Sequence, residues 1–321
     1  MTTDLKHPSN KTRLKFIGNA LGVFVCFFFY GILQEAITKG TYTIDEETTE
    51  KFVYTLSLVC VQCVVNYFYA EILLKTWQKP KSTDAKVEVK LYGVCSLTYL
   101  LAMVSSNMAL QWVPYPTQVI GKSCKPIPVM ILGVLLGGRS YSLRKYLFVL
   151  LIVLGVALFM YKPRNSPSSL VANATMTGEL LLIMSLSMDG LTGAVQERMR
   201  HGSQRPNSAT MMKMMNLFSI VYSFSAILLT GEIFTFSQFC VRHPEVLWKI
   251  FSFSVMSALG QFFIYVLVTD FGPLPCSIVT TTRKFFTVLA SVIFFGNVLS
   301  ETQWLGALLV FVGLGLDSVY M

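Results

Sequence analysis

The chain has 321 residues, 53% of them hydrophobic and 13% charged, with a mean hydropathy of +0.57. A soluble domain is about a quarter charged, so this composition argues against a soluble globular protein and for a chain dissolved largely in lipid. The net charge of +9 would suit a nucleic-acid partner, but the basic residues sit mostly in short loops between apolar runs, which argues against that class as well.

A bilayer core of about 30 Å takes about 20 apolar residues as helix. Taken in chain order, such windows fall near residues 16–37, 52–74, 90–112, 116–137, 144–161, 178–197, 211–230, 246–269, 274–296 and 303–320. They predict an all-α membrane protein of ten transmembrane helices. The first run, "FIGNALGVFVCFFFYGILQ", has no small-residue cleavage site behind it and reads as a span that doubles as the targeting signal. Pro114, Pro116, Gly137, Gly138, Pro244, Gly272 and Pro273 punctuate several ends. No Gly/Ser-rich tether or acidic tail divides the chain, so residues 1–321 are expected to form one transmembrane domain.

Lys and Arg in short loops set orientation. Lys6, Lys11, Arg13 and Lys15 precede the first span. Lys75, Lys79, Lys81, Lys86 and Lys90 follow the second. Arg139, Arg144 and Lys145 follow the fourth, and Arg198, Arg200, Arg205 and Lys213 the sixth. If ten spans alternate, all of these share one side, which should be cytosolic together with both termini. The other side has only Lys39, Lys51, Lys162, Arg164, Arg242 and Lys249, and carries the acidic run "IDEETTE". The sequon at Asn173 falls on that lumenal side; the one at Asn10 is expected to stay unused.

Four of the 26 basic residues remain: Lys122, Lys125, Arg283 and Lys284. They lie deep inside spans, and an internal repeat relates them. "PTQVIGKSCKPIPVMILGVLLG" from residue 116 aligns without a gap to "PCSIVTTTRKFFTVLASVIFFG" from residue 275. Both segments begin with Pro and end with Gly, and Lys125 matches Lys284. Each leads into a Gly-spaced apolar helix, "LLIVLGVALF" or "LLVFVGLGLD". This predicts a five-plus-five arrangement, with halves at 1–162 and 177–321. An odd number of spans per half inverts the second half, as in secondary transporters, whose substrate site lies near the midplane at the repeat interface.

A Lys or Arg at a helix centre costs about 2.5–3.5 kcal/mol on insertion scales, so something must offset four. Internal ion pairing is one answer, with Glu35, Glu71 and Asp189 inside spans and Glu197, Asp270 and Asp317 near span ends. Snorkelling to the interface is another for Lys122. An anion site in a water-filled cavity is the functional answer. Lys122 and Lys125, three residues apart, share a helix face, with Gln118 and Tyr115 one and two turns earlier. Arg283 and Lys284 would face them from the partner helix, with Thr280 and Thr281 offering hydroxyls. Arg grips phosphate oxygens bidentately and Lys acts as a point charge, so two facing doublets suit a polyphosphate. Tyr30, Gln34, Glu35, Ser105, Asn107 and Gln261 are candidate lining for the rest of a nucleotide; each has an alternative as a helix–helix bonding residue.

No metal site or cofactor is expected. The Cys60–Cys63 pair lies in an apolar run without a nearby histidine and reads as core packing. No D-x-D pair and no histidine within a span supports a membrane-embedded transferase.

At the strings "FFYGILQE", "MVSSNMALQWVPYPTQVIGKSCKPIPVMILG", "MSLSMDGLTGAVQE" and "FGPLPCSIVTTTRKFFTVLASVIFF" the chain resembles subfamily B of solute carrier family 35, nucleotide and nucleotide-sugar transporters of the drug/metabolite transporter superfamily. The resemblance covers nearly the whole chain. It implies the ten-helix fold of that superfamily and exchange of cytosolic ATP for lumenal ADP across the endoplasmic-reticulum membrane by alternating access. It also implies that Lys122, Lys125, Arg283 and Lys284 hold phosphates. The alternative is a UDP-galactose or UDP-glucose carrier of the endoplasmic reticulum or Golgi exchanging for UMP. Four bases match the roughly four charges of ATP better than the roughly two of a UDP-sugar. Relatives commonly end in a dilysine retrieval signal. This chain stops at "GLGLDSVYM", which leaves the Golgi membrane as the alternative residence.

Overall fold

The computed structural model describes residues 10–38, 40–45, 48–78, 87–109, 112, 118, 121–160, 171–200, 206–294 and 300–320. Helix dominates. In chain order the elements are α1 (Asn10–Thr38), the hairpin β1 (Thr41–Asp45) and β2 (Thr48–Lys51), α2 (Thr55–Thr76), α3 (Val89–Ala109), α4 (Pro126–Leu135), α5 (Leu143–Met160), α6 (Val171–Met199), α7 (Ser208–Thr230), α8 (Glu232–Arg242), α9 (Glu245–Asp270), α10 (Pro273–Phe294) and α11 (Glu301–Tyr320). Among the described residues, six stretches are long and apolar enough to cross a membrane: Asn10–Thr38, Thr55–Thr76, Val89–Ser106, Met176–Met199, Ser208–Thr230 and Glu245–Asp270. A bilayer admits such segments as helices because each satisfies its own backbone polar groups.

Local chemistry sets the helix ends. Asn207 caps α7 by accepting a hydrogen bond from the Thr210 amide at 3.1 Å. Gly231, at φ 70°, closes α7 in the left-handed conformation that a side chain would resist. Gly272, at φ 110°, separates α9 from α10, which Pro273 then opens at a position where its missing N–H costs nothing.

Two elements escaped the sequence reading. The acidic run between α1 and α2 holds an antiparallel hairpin, with Tyr42 opposite Glu50. The helix α8 lies between α7 and α9. At 11 residues it is too short for a search for spans of about 20 residues, and its apolar residues cover one side only.

The chain divides into two compact units. One comprises Met1–Ile17, Thr98–His201 and Phe271–Met321; the other comprises Gly18–Leu97 and Gly202–Asp270. Each draws on both halves of the sequence. The second unit has a core of Ile37, Tyr42, Phe52, Leu58, Phe239, Val246, Ile250 and Phe253, its aromatic rings coming from β1, the residue after β2, α8 and α9. Its most extensive pairing is α2 with α7. Cys60 and Cys63 are buried there as free thiols.

The first unit is built on the pairing of α5 with α11. Gly155 and Gly306 let those helices touch backbone to backbone: a Cβ at Gly306 would stand 2.6 Å from the Phe159 amide nitrogen, and one at Gly155 would stand 2.8 Å from the Gly306 carbonyl oxygen. Small residues at helix contacts are how bilayer helices pack closely. Around this seam lies a core that includes Val129, Ile152, Val156, Phe159, Ile278, Phe285 and Val310. Neither backbone can yield to a new methyl group. Gly306→Ala is therefore expected to destabilise the protein by about 1–3 kcal/mol, the usual cost of overpacking, read as a lowered melting temperature in detergent.

Candidate functional site

The first unit assembles an ionic cluster around the start of α4. Residues 121–123 form a helical turn, Cys124 and Lys125 a tight turn, and α4 proper begins at Pro126. Pro126 and Pro128 lack amide hydrogens, so this stretch uses i−3 bonds, such as Cys124 N–H to Gly121 O at 3.0 Å and Ile127 N–H to Cys124 O at 3.0 Å. The tightened turn presents Lys122 and Lys125 together. Lys122 Nζ donates to Ser185 Oγ at 2.7 Å and to Asp189 Oδ2 at 2.5 Å. Lys125 Nζ donates to Asp189 Oδ1 at 2.8 Å. One carboxylate on α6, with its side chain 5% exposed, therefore bridges both ammonium groups. Ser185 is fixed in turn by donating to the Ala102 carbonyl.

The string "MDGLTG" at residues 188–193 explains why α6 comes so close. A Cβ at Gly190 would meet the Pro128 backbone at 2.9 Å, and one at Gly193 would meet Val129 Cγ1 at 2.8 Å. The two glycines give α6 a smooth side against α4, and Asp189 rides on it. Gly190→Val is expected to push α6 off α4, separate Asp189 from the lysines and cost about 1–3 kcal/mol. Thermal denaturation checks the stability, and nucleotide exchange by the folded fraction checks the site.

The charge balance of this trio is incomplete. Among the described residues, two ammonium groups share one carboxylate, leaving a net positive charge in a place where an unmatched charge is expensive. The helix α10 packs against α4 within the same unit. On α10, Thr280 and Arg283 follow Cys276 at i+4 and i+7 on the same side of the helix. Arg283 is half-buried.

The remaining sequence candidates divide by what their side chains do. Gln118 is buried and donates to the Ser106 carbonyl at 2.8 Å and to Ser106 Oγ at 3.1 Å. Ser105 donates to the Leu101 carbonyl at 2.7 Å, and Thr280 to the Ser277 carbonyl at 3.1 Å. Thr281 is buried. In the second unit, Gln261 Oε1 accepts from Asn216 at 3.1 Å, and Asn216 also meets Asn66. The Tyr30 ring packs on Phe253 with centroids 4.4 Å apart, and Gln34 is exposed. Tyr115 lies outside the described residues, as do the side chains of Glu35, Asn107, Asn173 and Lys284.

Several acids that the sequence offered as partners for the intramembrane bases are engaged instead by bases at or near helix ends. Glu197 is held by Arg139 and Arg200, with Arg200 Nη1 to Glu197 Oε1 at 3.0 Å. Asp317 is held by Lys145. Glu71 is held by Lys213 at 2.6 Å, with Lys75 beside it at 3.6 Å. The physical reason is position: each of these acids lies near a helix end, where bases of neighbouring helix ends and turns come within reach. Burial and the Glu197 carboxylate also push the phenol of Tyr141, in the loop after α4, up to about 12. Asp189 is deep enough to meet Lys122 and Lys125. The sequence showed it only as one acid among six, and Ser185 carried no signal at all.

A sequence profile of the UAA transporter family matches residues 15–321. The chain belongs to the UAA transporter family. Solute carrier family 35 member B1 of Xenopus tropicalis is 57% identical over 300 residues, covering 94% of this chain and 92% of the relative. The Drosophila melanogaster homologue of that carrier is 54% identical over 312 residues, covering 96% and 91%. The Danio rerio carrier is 51% identical over 308 residues, covering 96% and 92%. A solved crystal structure described only as that of a protein superposes with a TM-score of 0.63 at 9% identity, covering 94% of this chain and 97% of the other; at that identity it speaks for the fold alone. This family member is thus a multi-pass membrane transporter of the solute carrier family 35 type and not an enzyme.

Proposed function

We propose that the chain is a nucleotide antiporter that carries cytosolic ATP into the endoplasmic-reticulum lumen in exchange for ADP by alternating access, with both termini cytosolic. The observation that carries this reading is the pair Lys122 and Lys125, bridged by the single buried carboxylate of Asp189. Structural ion pairing alone would match charge with charge. Here a surplus is kept, on a proline-tightened turn, in a unit that also holds Arg283 and its neighbour Lys284. Asp189 balances only one of the two lysine charges that it bridges. That surplus fits the polyphosphate of ADP or ATP better than the smaller charge of a UDP-sugar or UMP, because an uncompensated cation in low dielectric is costly.

The surplus also accounts for exchange. A cavity holding net positive charge resists closing while empty, so return without a counter-substrate should be slow. The five-plus-five inverted repeat is part of this reading. It is supported by the matched Pro-to-Gly frames and by the pairing of α5 with α11 and of α2 with α7, which links corresponding positions of the two halves.

Counterflow in proteoliposomes tests the substrate. Vesicles preloaded with ADP, with UMP or with neither would be offered labelled ATP and labelled UDP-galactose separately. ATP uptake that depends on internal ADP is expected. UDP-galactose uptake driven by internal UMP, with ATP excluded, would overturn the assignment in favour of a sugar-nucleotide carrier.

A further inference from the structure

The side of α10 opposite the Cys276–Thr280–Arg283 line borders a cavity of about 220 Å³ in the first unit. Its walls include Phe16 and Ile17 of α1, Ile278 and Val279 of α10, and Leu314 of α11, and Arg13 also lines it. The volume lies below the roughly 300–1,000 Å³ of pockets that enclose a small organic ligand, and the lining is mainly hydrocarbon. A nucleotide does not fit that description; a length of acyl chain does.

We propose that this groove is a binding site for one anionic glycerophospholipid, its chain along the apolar walls and its headgroup phosphate at Arg13. Charge complementarity supports this occupant. Arg13 lies in the first turn of α1, where the chain passes from polar to apolar residues, which is the level of lipid headgroups. Lys11 and Lys15 add positive charge to the same turns. The acid at the groove, Asp317, is held by Lys145, so it brings no unmatched negative charge to repel a phosphate. Ile17 is 60% exposed, so one wall faces lipid and a chain enters sideways from the bilayer. A basic residue at a membrane surface contributes about a factor of five in affinity for anionic over zwitterionic lipid.

The test uses the full-length protein purified in detergent, with bound lipid counted by native mass spectrometry during titration with phosphatidylserine or phosphatidylcholine of matched chains. Phosphatidylserine is expected to bind about fivefold tighter. Arg13→Gln should bring it to the level of phosphatidylcholine, and Ile17→Trp, which narrows the groove, should weaken both lipids. Both positions are exposed, so the variants should melt with the wild type. Equal binding of the two lipids by the wild type would overturn the proposal without recourse to any variant. So would an anionic preference that survives Arg13→Gln, or unchanged binding by Ile17→Trp. Competition by inorganic phosphate as effective as phosphatidylserine itself would mean a plain anion site with no role for the chain.

Discussion

Lys125→Ala should lower ATP/ADP exchange by about ten- to a hundredfold. On the proposed reading Lys125 contributes a charge-assisted bond to a phosphate oxygen, and such bonds contribute about 1.5–3 kcal/mol each, which converts to that range in affinity. The fold should tolerate the change. Lys122 still neutralises Asp189 at 2.5 Å, so no acid is left unpaired, and the trio becomes a simple ion pair. A melting temperature near that of the wild type beside a steep loss of exchange would separate a substrate contact from a structural one. Lys125→Arg should recover part of the activity, because it restores charge with a different shape. If Lys125→Ala exchanges nucleotides at the wild-type rate, the phosphate role is wrong and the lysine serves only α6.

The second large effect concerns the acid. Asp189→Asn should lower stability by about 3–5 kcal/mol, the cost of removing one partner from a buried charge pair. The cost arises because Lys122 and Lys125 both point at that carboxylate and would repel each other without it. The consequence that a purely structural pair would not show lies in the response to ligand. A polyphosphate that replaces the lost negative charge should raise the melting temperature of Asp189→Asn more than that of the wild type. Equal shifts in the two proteins would mean that nucleotide does not meet these lysines. A variant that melts with the wild type would mean that Asp189 offsets nothing.

How much of this was legible in the residues depended on whether the signal was local. Hydropathy over about 20 residues located the apolar helices, since each must satisfy its own backbone in lipid. Lys122, Lys125, Arg283 and Lys284 stood out because a base inside a span is rare. The bridge through Asp189 was not readable. Sixty-odd residues separate it from the lysines, and only the close approach at Gly190 and Gly193 brings α6 onto α4. Those glycines appear in the sequence as ordinary small residues of a bilayer helix. The hydrogen bonds of Gln118, Ser105 and Gln261 were equally hidden, because a polar side chain in a span can face a cavity or a neighbouring helix, and its own sequence position does not say which. The helix α8 was missed for its length, and the hairpin because its threonines and acids read as a polar loop.

The most direct test of the central claim, that the buried bases hold the phosphates of the transported nucleotide, is equilibrium binding of AMP, ADP and ATP to the purified wild type and to Lys125→Ala. Affinity in the wild type should climb with each added phosphate, and Lys125→Ala should flatten the series while leaving AMP nearly unchanged. The same phosphate dependence in both proteins would contradict it.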